Sequence, residues 1–501
     1  MEKFDIIVIG AGSGNMLVGD GFEGLKVALI DEGRPFGGTC LNRGCIPTKM
    51  LAHTGAVAEE IRHASRFGLG KPVVKPDWSA IHDRVFDRID PIANGSEASR
   101  SISETVALKR GHARFTDPHT VEVTLFDGTV EQLHGERFVI ATGSRPSIPE
   151  IPGLDHPDIA PLIHTSDSIM RVEQLPSSLI VLGGGVVACE FADIFANLGV
   201  KVTVIQRSGT LLRRKDADIA RAFTHELAHR DQGQINVRLN QQAMEVEPGP
   251  NGLTLYTCDA DGIEYSYNAN AILVATGRVP NSDKIGREEA GLEVDESGYL
   301  VVDETLRTSV PHIYALGDVD NPHELKHVAN HEARVVRHNL LHPEAPITVG
   351  DRPVPWAMFT TPQIASVGAT EAELAESGVP YVSAIHFHRD VAYGWALEDD
   401  GDHFVKVLAH SETGLILGAH IYGPDAALLL QPLIQAMTFG LDAATMARGQ
   451  YWPHPGLQEV VENALLKLPE PQEKKASSKS ASADTGAVKA KTPRWGKKPR
   501  S

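Results

Sequence analysis

The sequence predicts an α/β protein with two doubly wound, Rossmann-like dinucleotide-binding halves and a smaller C-terminal α+β domain. Three observations carry this. Apolar strands run into glycine turns at residues 4–14 and again at 178–188, about 170 residues apart. Apolar strands ending in Thr-Gly close each half, at 138–146 and 272–280. From about Asp351 the pattern becomes mixed α and β with no further glycine fingerprint.

In the first half the strand at 4–9 leads into Gly10, Gly12 and Gly14, then a helix-like stretch, then a second strand at 27–31. Strand, glycine turn, helix and strand form the unit that sets a pyrophosphate on a helix N-terminus. Asn15 stands near the place of the usual third glycine. Asp31 follows Gly10 by 21 residues, where a carboxylate accepts a ribose hydroxyl, and Glu32 competes for that role. The second half repeats the plan with Gly183, Gly185 and Ala188, and its second strand, 201–206, ends in Gln206-Arg207 with no acid. Arg207 and Arg213 in place of that acid suit a 2′-phosphate, which points to NADPH over NADH. The bland alternative is a solvated basic patch of Arg207, Arg213, Arg214 and Lys215. Thr142-Gly143 and Thr276-Gly277 let the backbone pass close to a ligand. In the last part, 404–408 and 415–421 read as paired strands, and 426–439 and 457–466 as helices. The expected domains are 1–152 completed by about 281–350, 153–280, and 351–468, with a disordered basic tail at 469–501.

Composition narrows the class. The net charge is −18, and because residues 470–501 carry +6, the remainder carries −24. An acidic body argues against general nucleic-acid binding. Four cysteines are too few for a disulfide-rich secreted scaffold. No leader precedes the first strand, no apolar run reaches membrane-spanning length, and no metal site is read. A cytoplasmic enzyme is expected.

The chemistry concentrates at Cys40 and Cys45, in the run Gly37-Gly38-Thr39-Cys40-Leu41-Asn42-Arg43-Gly44-Cys45. Two thiols this close to a dinucleotide turn suggest a reversible disulfide, fed by NADPH through a flavin. Such a reduction needs an acid–base group at the outer thiol, because the thiolate is the nucleophile. His454, between Pro453 and Pro455, is the candidate, with Glu459 placed to fix its tautomer. Cys189 and Cys258 read as ordinary small apolar residues.

Together, the thiol run, both fingerprints, Ala315-Leu316-Gly317-Asp318 and the His454/Glu459 pair resemble the flavoprotein disulfide reductases over residues 4–468. That resemblance implies FAD on Gly10, Gly12, Gly14, Asp31, Thr39, Lys49, Thr142, Gly143 and Asp318, with Ala113 in the segment that holds the adenine. It implies NADPH on Gly183, Gly185, Val186, Glu190, Arg207, Arg213 and Gly277. Cys45 would face the flavin, Cys40 would form the mixed disulfide, and Lys49 and Glu190 would pair beside the flavin's reactive nitrogen. The chain would be a homodimer, each active site borrowing His454 and Glu459 from the other copy. Gly12-Ser13-Gly14-Asn15, residues 45–50, 325–334 and 460–466 are most similar to the mycothione-reducing branch, which implies mycothione as the small-molecule disulfide. Dihydrolipoamide dehydrogenase, glutathione reductase and, remotely, an inactive flavoprotein binding module are the alternatives. Two residues depart from the family pattern. Val186 replaces an aromatic, and Arg43 replaces Val between the cysteines, where it either lowers a thiolate pKa or points to solvent.

Overall fold

The short apolar strand Glu2–Ile9 is buried over its last four residues and sits at the centre of the first sheet. The computed structural model describes residues 1–70, 72–230 and 234–471. Glu2–Ile9 pairs in parallel with Val27–Asp31 on one side and Val130–Ile140 on the other. Val106–Asp117 and Ile313–Ala315 extend the sheet, also in parallel. Chain order therefore reverses at the central strand, and the crevice beyond its C-terminal end is where doubly wound sheets take ligands. The second half copies this. Ser178–Leu182 lies between Lys201–Gln206 and Ala271–Val274, all parallel, with Ile235–Leu239 and Ile163–His164 at the edges.

The chain divides into two compact units. The first comprises Met1–Ala58, Val74–Gly209 and Asp231–Gly350, and so holds both dinucleotide sheets. Its site-bearing helices are α1 (Gly38–Asn42), α2 (Cys45–His63, whose last turn clusters with the other unit), α3 (Trp78–Ser101) and α4 (Val186–Asn197). Helix α4 is buried at ten consecutive positions, 188–197, and Gly55 of α2 brings that helix onto Asn197.

The second unit comprises Glu59–Val73, Thr210–Arg230 and the chain from Asp351 onward. Its antiparallel sheet runs in the order Trp356–Met358, Gln363–Gly368, Ile416–Gly423, Phe404–His410, Tyr381–Phe387. The expected hairpin is present, while the helix expected at 426–439 is split into Ala426–Leu429 and Gln431–Phe439. A proline at the start of the second piece explains the break. Thr210–Arg230, expected in the second dinucleotide half, clusters here instead, and it contains α5 (Ala217–His229). Buried ion pairs hold it. Lys406 Nζ donates to Asp216 at 2.9 Å, Asp218 at 2.6 Å and Glu371 at 2.7 Å. His403 pairs with Glu226 at 3.0 Å and with Asp399 at 2.6 Å. The expected basic tail lies outside the described residues from 472 on.

Candidate active site

Gly10 ends the central strand at φ +106, and a Cβ there would lie 2.2 Å from the Ala141 carbonyl oxygen, so only glycine fits. Gly14 packs where a Cβ would sit 3.0 Å from both Val8 and Ala141. The helix-like stretch expected next is absent, and only one 3₁₀ turn forms, Gly14–Met16, before an irregular loop that lasts to Val27. Gly19, Gly21 and Gly24 disfavour a helix there, two of them at positive φ. Arg100 of α3 secures the loop, donating to Asn15 Oδ1 at 2.7 Å and to the Asn15 and Val18 carbonyls at 3.0 and 2.9 Å. The Asn15 departure thus belongs to a loop built without its helix.

Asp31 accepts from the Ala11 amide at 3.0 Å and from Arg110 at 2.7 Å, and burial pushes its carboxyl up. Glu32 instead pairs with His112 at 2.8 Å, and that hydrogen bond holds its carboxyl down. Ala113 is buried in the ladder with Val123. At the far side of the crevice, Thr142 Oγ1 is buried with no hydrogen-bond partner among the described residues. Gly143 beside it, at φ +66, faces open space. Asp318 accepts from Ser144 at 2.8 Å, and Ser144 accepts from Arg278 at 2.7 Å. An orphaned hydroxyl and a glycine-lined crevice fit a polar ligand of dinucleotide size, which is the fit FAD requires.

The thiol segment abuts this turn. A Cβ on Gly38 would lie 2.5 Å from Gly12 Cα, so the segment carrying Thr39 and Cys40 touches the dinucleotide loop by backbone alone. Cys45 opens α2 and is exposed, while Cys40 in α1 is half-buried, and the two are free thiols in hydrogen-bond contact. That bond from Cys40, with the Lys49 and Lys326 charges, pulls the Cys45 thiol down to about 7. The same bond, with burial, pushes Cys40 up strongly. One proton is thus shared, and it rests on Cys40.

Lys49 Nζ meets both Glu190 oxygens at 2.7 Å, and Glu190 is buried in α4. Gly183 at φ +120 would clash with the Ala275 carbonyl if it bore a side chain, whereas Gly185 and Gly277 face open space. Val186 begins α4 and is half-buried, and Arg207 is exposed. Arg43 is half-buried and pairs with Asp167 at 3.5 Å. Cys189 is buried as expected, and Cys258 turns its sulfur toward the Asp259 carbonyl.

Sequence reasoning missed Lys326, Arg100 and Asp167. Lys326 donates to Ser13 at 2.9 Å, helps to lower the Cys45 thiol and opposes the rise of Cys40, and its only signal was a cation at a helix N-terminus, where charge of that sign is unfavourable.

In the second unit His454 is exposed, and its Nδ1 lies 2.8 Å from Glu459 Oε1. Glu459 Oε2 also accepts from the Gly456 amide at 3.1 Å, and the His454 bond holds its carboxyl down. The His454 side chain is 71% exposed. Arg213 is exposed in this unit, in the loop before α5. Among the described residues neither Arg207 nor Arg213 makes an ion pair. No described helix is long and apolar enough to cross a membrane.

Comparison with known proteins agrees with this arrangement. Residues 4–333 match the pyridine nucleotide-disulphide oxidoreductase family, and 354–465 match that family's dimerisation domain. Mycothione reductase of Mycobacterium tuberculosis is 44% identical over 476 residues, spanning 93% of this chain and 100% of that protein. A dihydrolipoyl dehydrogenase of Haloferax volcanii is 36% identical over 475 residues, spanning 92% and 96%. The HOCl-induced flavoprotein disulfide reductase RclA from Escherichia coli superposes with a TM-score of 0.78 at 28% identity, covering 93% of this chain and 100% of that one. The chain therefore belongs to the pyridine nucleotide-disulphide oxidoreductase family, as an FAD- and NADPH-dependent flavoprotein disulfide reductase.

Proposed function

We propose that the protein reduces mycothione to two molecules of mycothiol with NADPH, as a homodimer in the cytoplasm. The observation that carries this reading is the pair of free thiols Cys40 and Cys45 at the head of α2, taken with the 44% identity to a mycothione reductase. A bound FAD would supply the two-electron transfer that links NADPH oxidation to reduction of the Cys40–Cys45 disulfide. Gly10, Gly12, Gly14, Thr39, Thr142, Gly143 and Asp318 would hold it, with Asp31 on the ribose, Ala113 near the adenine and Lys49 near the flavin. Gly183, Gly185, Val186, Glu190 and Gly277 would line the NADPH site, with Arg207 and Arg213 on the 2′-phosphate.

The residues' own chemistry follows from the shared proton. Cys40 rests as a thiol, so it needs a base before it can attack. In a dimer that base would be the imidazole of His454 from the second copy, its Nδ1 fixed by Glu459. The Cys40 thiolate attacks one substrate sulfur, the substrate S–S bond breaks, and the leaving thiolate takes the proton from His454. Cys45, ionised near neutral pH, then attacks the Cys40 sulfur. The second mycothiol leaves as its thiolate and takes from solvent the proton that Cys45 released on ionising, and the Cys40–Cys45 disulfide is restored.

Cys40→Ser, Cys45→Ser and His454→Gln test this in the FAD-loaded enzyme. Each cysteine variant is expected to lose disulfide turnover while keeping FAD. His454→Gln is expected to lose about 10²–10⁴-fold in kcat. Full turnover by Cys40→Ser would overturn the relay.

A further inference from the structure

Helix α6 (Lys326–Leu341) opens on a lysine, and no side chain caps its N-terminus. A cation in the first turn works against the helix dipole, so the placement costs the helix stability. Lys326 Nζ donates to Ser13 Oγ at 2.9 Å, and Ser13 Oγ donates in turn to Asn330 Oδ1, one turn along α6, at 3.4 Å. Ser13 lies in the first dinucleotide turn, next to Gly12. A Cβ on Gly38 would lie 2.5 Å from Gly12 Cα, and Cys40 follows Gly38 by two residues. These contacts set the Lys326 ammonium where the dinucleotide turn meets the thiol segment, and its charge reaches both sulfurs.

Two lysines bear on Cys45, and they differ in what neutralises them. Lys49 is paired with both oxygens of buried Glu190 at 2.7 Å. It acts as half of a dipole, whose field falls off faster than that of a single charge. Lys326 is held by a neutral hydroxyl and makes no ion pair with any described residue. The carboxylates around the crevice have partners of their own: Asp167 with Arg43, Asp318 with Ser144, and Glu332 of α6 with the Gly317 amide and Asn321. Lys326 is half-buried, so salt screens it less than a surface charge. Of the two lysines it is the uncompensated one.

Reducing the Cys40–Cys45 disulfide to two thiols takes two electrons and two protons. The S–S bond breaks, one proton stays on Cys40, and the other leaves Cys45 on ionising. The reduced pair therefore carries a negative charge that the disulfide lacks, and a nearby cation favours the reduced form. We propose that Lys326 is a positioning residue for the relay, whose charge holds the electron pair on Cys45 as a thiolate and so raises the reduction potential of the Cys40–Cys45 couple. The inference rests on the dithiol reading above and deepens it. It gives α6, which carries no redox atom, control over how readily the pair accepts electrons.

Two readouts on the FAD-loaded full chain test it without relying on turnover. The first is the dithiol fraction after anaerobic equilibration in dithiothreitol buffers of graded oxidised-to-reduced ratio, read by thiol alkylation. The second is the Cys45 titration, read from its alkylation rate against pH. Lys326→Met removes the charge, Lys326→Gln removes it but keeps a donor for Ser13, and Lys326→Arg keeps the charge. The Met and Gln variants are expected to shift the equilibrium about tenfold toward the disulfide, about 30 mV for a two-electron couple, and to move the Cys45 titration upward. The Arg variant is expected to stay near wild type in both. No shift in either uncharged variant, or an equal shift in the Arg variant, overturns the proposal. A Gln variant that matches wild type while the Met variant shifts assigns the effect to the Ser13 bond, and overturns it too. A wild-type chain with no reversible Cys40–Cys45 couple overturns the dithiol reading, and the role of Lys326 with it.

Discussion

Cys45 owes its low pKa to the hydrogen bond from Cys40 first, then to the Lys49 charge, its own backbone amide and the Lys326 charge. Its place at the N-terminus of a 19-residue helix acts in the same direction. Removing the largest contribution has a signed consequence. In the reduced protein, Cys40→Ala should move the Cys45 titration from about 7 upward toward the ordinary thiol range, and Lys326→Met should move it the same way by less. Ultraviolet thiolate absorbance against pH reads both. A Cys45 titration unmoved by Cys40→Ala would mean that the thiols do not share a proton. At this scale much of the site was legible in the sequence, because Cys40, Cys45, His454 and the glycines carry chemistry that little else in the chain could supply. Lys326 and Asp167 were not legible, since a lone lysine or aspartate gains meaning only from what folds against it. Arg43 shows the same limit: its charge was noted, but its partner lies 124 residues away.

Among the elements, the paired strands and glycine turns were readable because each has a short-range period. The helix missing after Gly14 was misread because the fingerprint normally predicts one, and the glycines at 19, 21 and 24 override it. Arg100 stands in for that helix. Arg100→Ala leaves two loop carbonyls without their donor and should cost roughly 1–3 kcal/mol, with weaker FAD retention, measured by thermal unfolding and by flavin released on dilution. The placement of α5 was also invisible in sequence, since it depends on Lys406 and His403, about 180 residues away. His403 is pushed up to about 9 by Asp399 and Glu226, against the effect of burial. It therefore stabilises fully below the unfolded histidine value of about 6.5, and that stability, about 3 kcal/mol, is lost as pH rises toward 9. Buried His388 is pushed down to about 4, has no partner for either ring nitrogen among the described residues, and acts oppositely. Its contribution is present above about 6.5 and is lost as pH falls toward 4. Stability of the C-terminal unit should therefore peak near pH 6.5, and His403→Gln should flatten the alkaline limb. An unchanged alkaline limb in that variant would remove His403 from the account.

The whole molecule combines two copies of one dinucleotide plan with a dimerisation domain that bears the histidine. The duplication was legible because both copies repeat the same glycines and the same Thr-Gly strand ends. The division into units was less so, because residues 210–230 belong by sequence to the second dinucleotide half and by packing to the C-terminal unit. A shared site makes a test possible in the dimer. If His454 serves the thiols of a second copy, mixing Cys40→Ser and His454→Gln protomers should regenerate one intact site in each heterodimer. Turnover recovered on mixing two inactive variants is the expected result, and no recovery despite heterodimer formation contradicts a shared site. The central claim is electron flow from NADPH to mycothione, and one measurement tests it most directly. Steady-state turnover of mycothione, glutathione disulfide and lipoamide should be compared with NADPH and with NADH. The account predicts the highest kcat/KM for mycothione with NADPH. A preference for lipoamide with NADH would contradict it.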